Sequence, residues 1–160
     1  MDTSPPVNIR HHIRYNPLTG EFWRRLPSGK AIAGARADIA APDGYRRIKF
    51  AGKDYSAHRL AWFFAKGEWP ALAIDHRNLD KSDNRLANLR LATISQNGGN
   101  TRARRNGLKG ITVHSCGKFQ ASVKKDGKSH YLGLFQTPEE AHAAYQRAAV
   151  ELHGEFARTA

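Results

Sequence analysis

Apolar and polar positions change period several times along this chain, and each change marks an element. Arg14 to Arg25 reads as a hairpin, because Asn16-Pro17-Leu18-Thr19-Gly20 is turn chemistry and Glu21-Phe22-Trp23 resumes the strand. Residues 27–43 are rich in Gly, Ala and Pro without a clear period, which predicts a loop carrying one short strand. Tyr45 to Phe50 and Tyr55 to His58 read as two strands joined at Ala51-Gly52. Apolar residues at 60, 61, 64 and 65 make a helical stripe, which Gly67 and then Trp69-Pro70 bring to an end. Asp83 is expected to cap a short turn over residues 84–88. Leu89 to Thr93 alternates as a strand does, and Ser95 is expected to open a second helix running toward Arg104. Gly98-Gly99 counts against that helix, at about 1 kcal/mol per glycine relative to alanine.

Beyond a basic connector the period shortens to two. Ile111, Val113, Phe119, Ala121 and Val123 fall on one face of two strands, with Thr112, His114, Gln120, Ser122 and Lys124 on the other. Asp126-Gly127 signals a tight turn into a third strand near Ser129 to Phe135. Thr137-Pro138-Glu139-Glu140 then supplies an N-cap, a proline at the first helical position and a capping-box glutamate. Ala141, Ala144, Tyr145, Ala148, Ala149 and Leu152 form the apolar stripe of the helix that follows, and Gly154 closes it. The pattern predicts three antiparallel strands with one helix across their back, leaving the polar face free for a ligand.

Charge narrows the class of ligand. The chain has 160 residues and a net charge of +12. Residues 1–98 hold 16 Lys and Arg against 9 Asp and Glu (+7), and residues 99–160 hold 10 against 5 (+5), so the excess is spread along the chain and not gathered in a tail. That distribution suits an extended footprint on nucleic acid. Arg102, Arg104, Arg105, Lys109, Lys118, Lys124, Lys125 and Lys128 are interrupted by a single acid, Asp126, and are expected to track a phosphate backbone. Cys116 is the only cysteine, which excludes an internal disulfide and a cysteine-ligated zinc site. No apolar run is long enough to span a bilayer, and the N-terminus lacks the apolar stretch of a secretory signal; the expected setting is the cytoplasm, with no membrane and no obligatory protein partner.

The densest chemistry lies in AIDHRNLDKSDNRLANLRLATISQN. Asp75 and Asn97 can offer oxygen ligands to a hard divalent cation. The imidazole of His76 can take a proton from water near neutral pH. Singly, an Asp-His pair is a common surface turn and an Asn beside a helix a common cap; jointly, at these spacings, they are the parts needed to cut a phosphodiester with one metal ion. His58 is expected to play a structural part near this loop, and Asn84 to cap or hold it.

From His58-Arg59-Leu60 to about Asn100, and most densely at DH…DNRLANL…T-S-Q-N, the chain resembles the HNH nucleases, in the branch found in phage-borne homing endonucleases. The resemblance implies a ββα-metal finger. It implies that Asp75 and Asn97 are metal ligands for Mg²⁺, or another divalent ion such as Mn²⁺. His76 would be the general base, and Asn88 the asparagine that holds the motif's loop and orients the histidine. Residues 106–157, through LKGITV, GKFQASVK and YLGLFQTPEEAHAAYQRAA, resemble the ERF-type (APETALA-like) DNA-binding domain. That likeness implies a sheet lying in the major groove of double-stranded DNA and points to Lys109, Thr112, His114, Ser122, Lys124, Ser129 and Tyr131. Thr112, Ser122 and Ser129 are short side chains for base reading.

The expected architecture is therefore α+β. Residues 1–56 form N-terminal β-hairpins, 57–104 the HNH finger, and 105–160 a three-stranded antiparallel sheet packed on one C-terminal helix. The expected function is a metal-dependent DNA endonuclease acting in a bacterial or phage-infected cell. The alternatives are a non-catalytic DNA-binding protein or regulator and, more weakly supported, an RNA-cleaving enzyme.

Overall fold

The computed structural model of the chain describes residues 4–101 and 108–159. Two units divide it, Met1–Leu91 and Ala92–Ala160. The division falls after Leu91, where the sequence suggested a boundary after residue 104, because the helix carrying Asn97 packs on C-terminal elements.

In the first unit a short helix α1 (Ile9–His12) leads into the hairpin β1 (Ile13–Tyr15) and β2 (Phe22–Arg24), in which Tyr15 pairs with Phe22. Asn16 makes the turn, its side-chain oxygen accepting the Leu18 amide at 2.9 Å and its carbonyl accepting the Gly20 amide at 2.8 Å. An antiparallel sheet follows in the order β3 (Asp38–Ala40), β4 (Arg46–Phe50), β5 (Lys53–Ser56). Helix α2 (Ala57–Lys66) buries Ala57, Leu60 and Ala61 and ends at Gly67, whose φ of 87° is the left-handed stop the sequence predicts. Ala65, expected in the stripe, is exposed; the helix starts early enough for Ala57 to extend the buried face instead. Strands β6 (Ala73–His76) and β7 (Leu89–Ala92) pair with each other, separated by a loop and a 3-10 turn at Leu86–Asn88. Ile9, Ile13, Phe22, Ile48, Tyr55, Leu60, Ile74 and Leu89 share one core. Each large side chain removed from water there contributes about 1.5–3 kcal/mol.

The N-terminal hairpin braces the loop between β6 and β7. The Tyr15 hydroxyl donates to the Asn84 carbonyl at 2.7 Å, and the Leu86 amide donates to the Pro17 carbonyl at 3.0 Å. Gly20 lies so close that a Cβ there would stand 2.5 Å from the Arg85 nitrogen.

The second unit opens with α3 (Ile94–Gly99). Its N-cap is Thr93, in a reciprocal capping box with Gln96, and not Ser95 as the sequence suggested. The unit continues as β8 (Ile111–Val113), β9 (Phe119–Lys125) and β10 (Lys128–Phe135), an antiparallel sheet with β9 central, and then α4 (Pro138–His153). The capping box of α4, Thr137 with Glu140, and Pro138 in its first turn are those read from the sequence. Ala121 and Val123 face the helix and are buried with Ala141, Tyr145 and Ala149. Val113, assigned to the same inner face, is 73% exposed. It ends a three-residue edge strand beside the turn at residues 114–117, away from the central strand on which α4 mainly packs.

Candidate active site and nucleic-acid face

Asp75 and His76 end β6 and are buried. The Asp75 carboxylate is oriented by Arg90 on β7, whose Nε and Nη2 both donate to Oδ2 at 2.8 Å. Sequence reasoning missed Arg90. It stands on the partner strand, and only the pairing of β6 with β7 gives it a role. Charge-assisted bonds of this kind hold a carboxylate in one pose, and losing one partner of a buried pair costs about 3–5 kcal/mol.

The His76 ring is 4% exposed, less than the solvent-reachable base the sequence suggested. Its cover is aromatic, with Tyr45 at 5.9 Å and His58 at 5.3 Å between ring centroids. The turn before β4 holds Tyr45 there: Asp43 accepts the Tyr45 amide at 3.1 Å, and Lys81 lies 4.7 Å over the Tyr45 ring. His76 Nε2 meets Asn84 Oδ1 at 3.3 Å. Burial lowers the His76 pKa, against the opposing pull of the Asn84 contact, so the ring is neutral at pH 7. Asn84 therefore does more than hold the loop.

His58 has a buried Nδ1 with no hydrogen-bond partner. Burial brings its imidazole down to about 3, and repulsion from His76 adds to this. Asn88 holds the loop by three hydrogen bonds. Its Oδ1 accepts the Asn78 amide at 3.0 Å, its Nδ2 donates to the Asp83 carbonyl at 2.8 Å, and its own carbonyl accepts the Arg77 amide at 2.9 Å. It is a positioning residue for the segment that follows His76. Asp83 does not cap the 3-10 turn; it accepts the Arg85 amide and guanidinium, and this pairing brings its carboxyl down to about 2.

Asn97 lies on α3 in the second unit and is exposed. Among the described residues there is no group of three or more His, Cys, Asp or Glu poised to hold a metal. The donors in question are one carboxylate and one carboxamide, both hard oxygen ligands. Such a sparse set suits Mg²⁺, which keeps much of its shell from water and phosphate.

On the C-terminal sheet the register brings predicted contacts together. Thr112 pairs with Gln120, Ser122 with Tyr131, and Lys124 with Ser129, all on the face away from α4. His114 stands apart, in a turn where its Nδ1 lies 3.0 Å from the exposed Cys116 thiol. Lys109 is turned inward: its ammonium donates to the Gly99 carbonyl at 2.7 Å and the Arg158 carbonyl at 3.3 Å, and burial brings it down to about 8. Arg102, Arg104 and Arg105 lie outside the described residues. Among the described residues no helix is long and apolar enough to cross a membrane.

A buried Asp-His pair ending β6, a braced loop, strand β7 and the capped helix α3 follow one another, the order that the resemblance to HNH nucleases implies. Residues 55–98 match the family model described as HNH endonuclease. A mimivirus protein named "Uncharacterized HNH endonuclease L560", from Acanthamoeba polyphaga mimivirus, is 37% identical over 102 residues, which make up 62% of this chain and 54% of that protein. APETALA2-like protein 2 of rice (Oryza sativa) is 45% identical over 54 residues, 32% of this chain and 12% of the plant protein. The chain thus spans about half the length of the viral relative and about an eighth of the plant one. Among solved structures, one described as "DNA binding and cleavage by the HNH homing endonuclease I-HmuI" aligns with 51% of this chain and 47% of its own, at 28% identity and a TM-score of 0.39.

Proposed function

We propose that this chain is a DNA endonuclease that hydrolyses phosphodiester bonds with His76 as general base and one divalent cation, Mg²⁺ or a similar ion, bound by Asp75 and Asn97. The observation that carries the reading is the state of His76: it ends β6 beside Asp75, is kept neutral by burial, and is oriented by Asn84. A neutral imidazole can accept the proton of an attacking water. The bound cation supplies positive charge where the phosphate and the leaving 3′-oxygen gain negative charge. Arg90 fixes the pose of Asp75, and Asn88 fixes the loop that carries the chain away from His76. The outward residues of the C-terminal sheet, Thr112, Ser122, Lys124, Ser129 and Tyr131, meet double-stranded DNA and concentrate the nuclease on it.

The test is nicking of supercoiled plasmid in Mg²⁺. The expected product is an open circle with 5′-phosphate and 3′-hydroxyl ends that DNA ligase reseals, and chelation of the metal stops its formation.

A second reading is favoured by one observation. His76 is 4% exposed and Asp75 is occupied by Arg90, the arrangement of a closed scaffold. On that reading the chain binds DNA without cutting it. An intact plasmid under every divalent ion tried, together with a reproducible footprint, would establish it over the nuclease.

A further inference from the structure

Helix α3 has little reason to be helical by itself. It is six residues long and ends in Gly98-Gly99. Isolated helices shorter than about 12–15 residues are marginal in water, and each glycine removes about 1 kcal/mol relative to alanine. Its order comes from the C-terminal unit. Ser95 and Gly99, four residues apart, share one face of the helix. The Ser95 hydroxyl accepts the Asp126 amide, in the tight turn between β9 and β10, at 2.8 Å. Gly99 is buried against α4 and the turn that follows it: a Cβ there would stand 2.9 Å from His153 Cγ, 3.0 Å from its Nδ1 and 3.1 Å from the Phe156 carbonyl oxygen. His153 is itself buried, at 8% exposure, which leaves its ring little room to swing away. Lys109 donates to the Gly99 carbonyl at the C-terminal end of the helix, where a cation is favoured. Gly98, by contrast, has open space where a Cβ would go. Asn97 lies off the docked face and is exposed.

We propose that the C-terminal sheet-and-helix domain is the platform that positions Asn97 for the cation, docking α3 through Ser95 and Gly99 and leaving the carboxamide outward. Gly99 is then a contact residue required by close approach, while Gly98 is dispensable. The domain has two tasks, contact with DNA through one face of its sheet and support of a metal-ligand helix. This inference rests on the ligand role assigned to Asn97 above.

The test compares full-length Gly98→Ala, Gly99→Ala, Ser95→Ala, Asn97→Ala and Gly99→Ala/His153→Ala by Mn²⁺ affinity without DNA, duplex affinity, and amide hydrogen exchange over residues 94–100. Gly99→Ala is expected to weaken Mn²⁺ by about fivefold or more, the ratio equivalent to about 1 kcal/mol, and to lose protection over the helix while duplex affinity holds. Gly98→Ala should match or exceed the parent, and removing the His153 ring should restore part of what Gly99→Ala loses. Ser95→Ala, a milder change, should shift Mn²⁺ affinity and protection in the same direction, which keeps the test decisive if Gly99→Ala fails to fold. Parent-like Mn²⁺ affinity and protection in both Gly99→Ala and Ser95→Ala would overturn the proposal. If Asn97→Ala weakens Mn²⁺ while those two do not, only the positioning role fails; if Asn97→Ala leaves Mn²⁺ affinity unchanged, the ligand assignment fails and takes this inference with it.

Discussion

His58 shows most clearly what single residues contribute around this site. Its imidazole is held neutral, at about 3, chiefly because burial penalises the charged form. The unfolded chain would take a proton at His58 near the ordinary value of about 6.5. The native state therefore binds fewer protons than the unfolded state between those two values, and stability rises with pH there. The contribution is complete above about pH 6.5 and is lost as pH falls toward 3, with a slope approaching about 1.4 kcal/mol per pH unit for this one group. Chemical denaturation of the metal-free protein at a series of pH values should show this slope, and His58→Phe should flatten it. An unchanged slope in His58→Phe would assign the acid sensitivity elsewhere, to His76 or to the carboxylates of Asp38 and Asp83. At this scale the sequence showed Asp75, His76, Asn88 and Asn97 as residue types at a spacing. It did not show Arg90 on Asp75 or Tyr45 over His76, because both depend on chain segments brought together by folding.

Among the elements, local signals were legible and long-range ones were not. The turn at Asn16–Gly20, the stop at Gly67 and the capping box at Thr137–Glu140 are each specified by a few adjacent residues, and each appears where the pattern put it. The bracing of the motif loop by the N-terminal hairpin is a contact between segments far apart in sequence, and no local rule reports it. Gly20 joins the two scales. Its φ of 76° suits a turn, and its missing Cβ admits the backbone of Asn84 and Arg85. Gly20→Ala should therefore cost about 1–3 kcal/mol through overpacking and backbone strain, read as a lower midpoint in urea with an unchanged slope. A parent-like midpoint would show that the hairpin does not brace the loop. The same lesson applies to Gly98-Gly99, which read as one defect in sequence and are two different positions in structure, one open and one in close contact.

For the whole molecule, a net charge of +12 spread over both halves fits a polyanionic partner more directly than any single residue does. The three antiparallel strands of the C-terminal unit followed from alternation and one Asp-Gly turn, so the shared face of Thr112, Ser122, Lys124, Ser129 and Tyr131 was largely legible in advance, while the register came only from folding. The unit boundary was not, because α3 is assigned by what it packs against and not by the connector that follows it. His76 is proposed to perform the proton transfer in phosphodiester hydrolysis. Single-turnover cleavage of duplex DNA in Mg²⁺, with binding measured on the same samples, tests it most directly. His76→Ala is expected to lower the cleavage rate by about 10²–10⁴-fold, the usual contribution of a positioned general base, while duplex affinity stays within about twofold of the parent because basic side chains meeting phosphates, and not this neutral ring, set that affinity. Equal cleavage by His76→Ala and the parent would contradict the account.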